Sequence, residues 1–295
     1  MSIYGYFSER NYAVDFPYTD LACERRKADV DTPGVSYRRE ESVGGSWERV
    51  RISTAEGARS IGKPMGLYDT LSTSRMDLID RDGIDDAIDE VARELCHLCE
   101  VCDILPERLL IVGLGNPALT PDAVGCECAR RVKATMHIKD FDKRLFDRLE
   151  CSEIAVCTPG VRAYSGMDAS TTVMGLCNML APDAVIVVDA LAARSVERLG
   201  STIQFSTTGI WPGSGVGNSS VPLTERTLGV PTIAIGVPTV IDSRMFWYDA
   251  ASDGHNASYA GPSMFVSPKE ICEIVEVAGE IIAGGINQAF GLYSA

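Results

Sequence analysis

The sequence predicts a single α/β domain, a mostly parallel sheet flanked by helices, and three observations carry that expectation. Leu109 to Val112, Ala184 to Asp189 and Pro231 to Val237 are short, nearly continuous apolar runs rich in β-branched residues, as in strands buried on both faces. Segments with apolar residues at helical spacing alternate with them, and such alternation implies crossover connections and parallel strands. A chain of 295 residues with 45% hydrophobic composition can bury one large core.

In chain order, Met1 to Asp20 is polar and aromatic without periodicity and reads as an N-terminal arm, leaving 21–295 as the catalytic domain. Residues 25 to 75 are rich in charge, Gly and Ser, and read as irregular with few strands, one around Trp47 to Ile52. Ile84, Ile88, Val91, Leu95, Leu98 and Cys102 recur at helical spacing and stop before Pro106. There follow strand 109–113, helix 121–136, strand 153–157, helix 168–180, strand 184–189, a short helix near 194–199 and strand 202–206. A glycine-rich loop spans Thr208 to Asn218, and strand 231–237 follows it. Ser267-Pro268-Lys269-Glu270 opens a last helix running to about Phe290 despite Gly284-Gly285.

The formal charge of −14 gives a surface that repels nucleic-acid phosphates, so no direct nucleic-acid binding is expected. No stretch reaches eighteen or so uninterrupted apolar residues, and the first twenty residues lack a basic flank before an apolar core. The expected place is the cytoplasm, away from membranes, where ten cysteines without paired spacing stay reduced. Gly113-x-Gly115-Asn116 lacks the third glycine of a dinucleotide fingerprint, and Cys96-x-x-Cys99-x-x-Cys102 lacks a fourth cysteine at iron–sulfur spacing. No cofactor and no metal are expected.

Two strand ends do suggest chemistry. In open α/β sheets ligands gather beyond the carboxyl ends of the strands, where Asp189 ends one apolar run and Asp122 follows another by one turn. A carboxylate pair in a desolvated cleft can share a proton, one member taking a proton from water and the other giving one to a carbonyl. Asp189, at the mouth of an apolar strand, is expected to resist ionisation. Asp122, in a first helical turn, is expected to favour it through the macrodipole. Asp122 is then the base and Asp189 the acid. The alternative from residues alone is that Asp122 decorates a helix start and Asp189 caps a turn. Ser195 makes a poor triad nucleophile, because His97, His137 and His255 are the only histidines and none sits in a nucleophile motif. In the glycine-rich loop, Gly213, Ser214, Gly215, Gly217 and Asn218 offer backbone N–H groups for a substrate, or form a packed turn.

Several blocks are specific enough to point to a family: Thr19-Asp-Leu-Ala22, Val112-Gly-Leu-Gly-Asn116 with Thr120-Pro-Asp-Ala123, Thr158-Pro-Gly-Val161 and Val188-Asp-Ala-Leu-Ala-Ala-Arg-Ser195. Thr208-Gly-Ile210, Pro212 to Asn218, Gly236-Val-Pro-Thr-Val240 and Ser267-Pro-Lys-Glu270 continue them. The chain resembles the germination protease of spore-forming bacteria, which degrades small acid-soluble spore proteins. The resemblance implies a hydrogenase-maturation-protease-like fold and an atypical aspartic-type endopeptidase with catalytic residues at Asp122 and Asp189. It also implies a homotetramer in the spore core, made as an inactive precursor. Family substrates are cut between an acidic and an apolar residue, with a small residue and a Glu downstream. Asp20-Leu21-Ala22-Cys23-Glu24 has that pattern, which makes Asp20 and Leu21 the expected autocleavage junction. The segment 241–266 is shorter than the family's usual insertion, and Cys23 stands where an aliphatic residue is more usual. Peptidyl-tRNA hydrolase shares a Val112-Gly-Leu-Gly-Asn-Pro117-like block, but its histidine and basic face have no counterpart here. The remaining alternative is a non-catalytic acidic α/β protein that binds a peptide or anion.

Overall fold

The computed structural model describes residues 18–26, 32–212, 220–246 and 264–292. In chain order the elements are α1 (Ala22–Arg25), β1 (Val35–Ser42), β2 (Gly45–Ile52), α2 (Ala55–Ile61), β3 (Gly66–Ser72), α3 (Arg81–Val101), β4 (Arg108–Gly113), α4 (Val124–Arg131), α5 (Met136–Phe141), α6 (Lys143–Leu149), β5 (Glu153–Cys157), α7 (Arg162–Ser165), α8 (Ala169–Leu180), β6 (Ala184–Ala193), β7 (Thr202–Ser206), α9 (Glu225–Leu228), β8 (Thr232–Asp242), β9 (Phe265–Val266) and α10 (Ile271–Phe290). Two 3₁₀ turns, Thr120–Asp122 and Val196–Arg198, follow β4 and β6.

The strands form one sheet in the order β1-β2-β3-β7-β8-β6-β4-β5, with β9 added on β8. The α/β class and the flanking helices are as the sequence implies, and β4, β5, β6 and β8 pair in parallel. An antiparallel wing of β1, β2, β3 and β7 extends the sheet and makes it mixed. Residues 35–72 are therefore regular, not irregular, and Gly44-Gly45 belongs to a tight hairpin closed by the Ser42–Gly45 pair.

The core lies between the sheet and the layer of α3, α4 and α10, with Ile111, Ile186, Val188, Ile203 and Phe205 meeting Val91, Val124 and Ile282. Each such fully buried side chain contributes roughly 1.5–3 kcal/mol. Gly284 and Gly285 sit inside α10 because α3 crosses there: a Cβ on Gly285 would lie 2.2 Å from Val91 Cγ1 and one on Gly284 2.7 Å from Ile88 Cδ1. The opposite face of β4 and β6 packs on α8 through Leu110, Val112, Val185, Val187, Val173 and Cys177.

Three boundaries differ from the periodicity. The expected helix 121–136 divides into the Thr120–Asp122 turn and α4, and chain 132–135 turns extended so that the buried Thr135 can bind Ile154 and Ser152 on the β5 side. α10 starts at Ile271, and Glu270 pairs with Arg75 at 3.4 Å without capping the helix by its side chain. The short helix near 194–199 is the three-residue turn at Val196.

Candidate active site

The sheet brings Asp122 and Asp189 to one place, through close backbone packing. Gly113 ends β4 and Gly125 opens α4. A Cβ on Gly113 would lie 2.1 Å from the Gly125 carbonyl oxygen, and one on Gly125 2.3 Å from that of Val188. Only glycine at both positions lets α4 settle on β4 and β6. The Leu114 N–H then donates to Val188 O at 2.8 Å, so the loop leaving β4 continues the sheet beside Asp189.

That loop folds back through Gly115, whose φ of +102° suits glycine, and a Cβ there would lie 1.8 Å from Asp122 O. Asn116 N–H donates to Asp122 O at 3.0 Å, and Asp122 N–H to Leu119 O at 2.8 Å. The far side is fixed by β8. Pro238 has no N–H for the ladder, and the β6–β8 register slips there, pairing Leu191 with Pro238 and Ala192 with Val240. The extra residue, the fully buried Thr239, donates its hydroxyl to Pro121 O at 2.6 Å and holds the turn that carries Asp122.

Asp189 is 7% exposed and accepts the Ala190 N–H at 2.9 Å. Burial first, then the Asp122 charge and more weakly that of Asp20, raise its carboxyl well above the usual carboxylate range, against the Ala190 N–H. Asp122 is half-buried, and burial raises its carboxyl too, opposed by the Asn116 N–H. The expected macrodipole effect does not govern Asp122, because it sits in a three-residue 3₁₀ turn ahead of α4, where desolvation prevails. The order of the two is kept, Asp189 being the harder to ionise. The Cys126 thiol is raised to about 11 by burial and by the charges of Asp122, Asp189 and Glu127. Its sulfur donates long bonds to Leu114 O and Gly115 O, both at 3.7 Å.

The expected Asp20–Leu21 junction packs on β6, three residues along from Asp189. Asp20 N–H donates to Ala192 O at 2.8 Å and Ala192 N–H donates to Asp20 Oδ2 at 2.9 Å. Leu21 is fully buried against Leu191, Ala193, Ile241 and Met245. Thr19 to Arg26 is thus part of the packed domain, and an arm ending at Asp20 has its last residues docked on the sheet. A cavity of about 50 Å³ opens between Asp20, Lys63, Tyr68, Gln204 and Gly236. Burial pushes the Lys63 ammonium down to about 8 against the pull of the Asp20 carboxylate.

Among the other sequence candidates, Ser195 points to Glu197 and lacks a histidine partner, while His97 and His137 are exposed on α3 and α5. Gly213, Ser214, Gly215, Gly217, Asn218 and His255 lie outside the described residues. On α3, Cys96 is exposed and Cys99 buried, so the triplet does not converge. Among the described residues no three His, Cys, Asp or Glu side chains gather in a metal-binding set, and no helix is long and apolar enough to cross a membrane. Sequence reasoning passed over Cys126, Lys63 and Gln204. Gln204 carried a usable signal, an amide between Ile203 and Phe205 in the middle of a strand.

The family model of the germination protease matches residues 18–252, which takes in the junction, both aspartates and the sheet that joins them. The chain belongs to the germination protease family. A germination protease of Caldanaerobacter subterraneus subsp. tengcongensis is 40% identical over 235 residues, covering 78% of this chain and 71% of its own. One from Clostridium perfringens is 34% identical over 314 residues, covering 92% of this chain and 94% of its own. Family membership makes this chain a peptidase, a hydrolase of peptide bonds. Among solved structures, a NiFe hydrogenase maturation protease from Thermococcus kodakarensis aligns at 19% identity and a TM-score of 0.33, covering 61% of this chain and 93% of its own, too distant to bear on mechanism.

Proposed function

We propose that this chain works as an aspartic-type endopeptidase with Asp122 as general base and protonated Asp189 as general acid. It is made as a zymogen that cuts itself between Asp20 and Leu21, then degrades small acid-soluble spore proteins. The observation that carries this reading is the unequal carboxyl pair: Asp189 buried and raised well above its usual range, partly by the Asp122 charge, with the Asp20 junction packed alongside.

The chemistry follows from that inequality. Asp122, ionised, takes a proton from a water whose oxygen bonds to the scissile carbonyl carbon. Asp189 gives its proton to the carbonyl oxygen, producing a gem-diol. Return of the proton from Asp122 to the departing nitrogen breaks the C–N bond, and a proton from the gem-diol restores Asp189. The products are a carboxylic acid and an amine, and both carboxyl groups end as they began. Assembly as a homotetramer and residence in the spore core belong to the same proposal, and size by light scattering tests the first.

The test is purified wild type, Asp122→Asn and Asp189→Asn, each incubated at mildly acidic pH with a small acid-soluble spore protein and analysed by mass spectrometry. Cleavage by wild type and loss of it in both folded variants is the expected result. Undiminished cleavage in both variants excludes the dyad, and an intact substrate bound by wild type favours the non-catalytic peptide-binding reading.

A further inference from the structure

Gln204 is a buried amide on β7, and both of its ends are used on one short stretch of chain. Its Nε2 donates to Asp20 O at 3.1 Å, and its Oε1 accepts the Ala22 N–H at 2.8 Å. The amide orientation is forced, because a carbonyl only accepts and an N–H only donates. These two contacts flank one peptide bond, Asp20–Leu21. Across the sheet, Gln204 pairs with Gly236 and Gly236 with Asp189, so the amide and the carboxyl stand on one face in a single row of the sheet. Gly236 between them carries no side chain and is covered by that of Leu191, with the cavity opening on the Gln204 side.

Downstream the same stretch is gripped again. Glu24 places its carboxylate on the backbone N–H groups of Arg194 and Ser195 at 2.8 and 2.9 Å, where the chain leaves β6, and it accepts the Thr19 hydroxyl as well. Two backbone amides aimed at one carboxylate form an anion subsite that does not depend on any side chain.

Resting on the proposed cut at Asp20–Leu21, we propose that this groove is the substrate-reading site of the protease. Gln204 is the catalytic residue that holds and polarises the scissile carbonyl, and the Arg194 and Ser195 amides are the subsite for a glutamate four residues beyond the cut. The same groove reads the chain's own junction, and reads an extended peptide of another chain when that peptide displaces residues 19–26 from it. The geometry asks three things of a substrate: a carbonyl that accepts from Gln204, an N–H two residues on that donates to it, and an anion at the position of Glu24. The buried surroundings of Leu21 require an apolar residue after the cut.

The experiment uses full-length protein and a synthetic peptide copying residues 17–27, with kcat and KM measured across pH. Gln204→Glu keeps the acceptor for the Ala22 N–H but, once ionised, has no proton for the scissile carbonyl. The expected result at neutral pH is a fall in kcat of about a hundredfold with a smaller change in KM. Activity should return as pH falls and the new carboxyl regains a proton, a recovery that a merely structural role would not produce. Two altered peptides test the groove on unmodified enzyme, which keeps the proposal falsifiable if the variant does not fold. Glu24→Gln in the peptide should raise KM about tenfold, and an ester in place of the Ala22 amide, which lacks the N–H, should also raise KM. Unchanged kcat in folded Gln204→Glu, or equal handling of all three peptides, overturns the proposal while Asp122→Asn and Asp189→Asn stay inactive. Wild-type cleavage by those two aspartate variants overturns it too, and places the failure in the dyad.

Discussion

In the parallel half of the sheet, β6 and β8 are buried along almost their whole length and carry one ionisable group within reach of the site, Asp189. The antiparallel wing is different: β1 and β2 run as VSYRREES and GSWERVRI, with charges from Arg38 to Glu41 and at Glu48, Arg49 and Arg51, and ion pairs beneath them. Arg49 binds Asp69 at 3.0 Å and Glu94 at 2.8 Å, and Trp47 donates to Glu90 at 2.9 Å. Carboxylates are buried in both halves, and in both a carboxyl stands beside another. In the wing Asp69 and Glu94 share the Arg49 guanidinium, which opposes the rise that burial and Asp69 impose on Glu94. At the site, among the described residues, Asp189 has the Asp122 carboxylate and no guanidinium partner, and burial with that charge raises its carboxyl well above the usual carboxylate range. The difference lies in the guanidinium: Arg49 stands with one buried carboxyl pair and opposes its rise, and among the described residues none is paired with the other.

The sharpest way to break that comparison is to remove each carboxylate's proton chemistry. Asp189→Asn and Asp122→Asn should each lower kcat by about a thousandfold or more with the fold retained, measured by peptide cleavage and circular dichroism. Next in size is Gly125→Ala, which drives a Cβ to 2.3 Å from Val188 O and should cost about 3 kcal/mol in denaturant melts, with lost activity because Asp122 moves with α4.

Arg49→Met tests the wing. It leaves Asp69 and Glu94 buried without their cation and should cost about 2 kcal/mol while kcat per folded molecule is unchanged. Burial, with hydrogen bonding and charge from Asp69, already raises the Glu94 carboxyl, and Arg49 opposes that rise. Loss of Arg49 raises it further, so the destabilisation should grow as pH increases. Smaller still is the pH dependence of stability from Asp189. Its folded-state carboxyl is raised, so wild-type stability should decline as pH climbs from the ordinary carboxylate range to the raised value; the Asp189→Asn melting curve should lack that decline. The smallest effect is at the surface: Lys143→Ala breaks an exposed pair with Asp147 and should shift stability by less than about 0.5 kcal/mol.

The same contrast explains what could be read from the sequence. Strands buried on both faces spell themselves as unbroken apolar runs, so β4, β6 and β8 were visible, and with them the strand end that places Asp189. In the wing, β7 and the stretch of β2 from Trp47 to Ile52 were visible too, but β1 and β3 were not: β1 is half exposed and its run of Arg, Glu and Ser resembles a polar loop, with Gly44-Gly45 seeming to break it. Asp122 was found by position but not by environment, since a helix start is visible in Thr120-Pro121 and the desolvation of a three-residue turn is not. Gln204 went unnoticed for a related reason: its value comes from Asp20 and Ala22, 184 and 182 residues away in the chain.

The central claim is that two unequally protonated carboxyl groups cut the bond between Asp20 and Leu21. Intact-mass spectrometry of full-length wild type and Asp189→Asn, followed over time across a pH series, tests it most directly. The account predicts a wild-type product beginning at Leu21, formed at a rate that peaks above the ordinary carboxylate range and falls on either side, and no such product from Asp189→Asn. A product with a different N-terminus, or an equal rate in the variant, would contradict it.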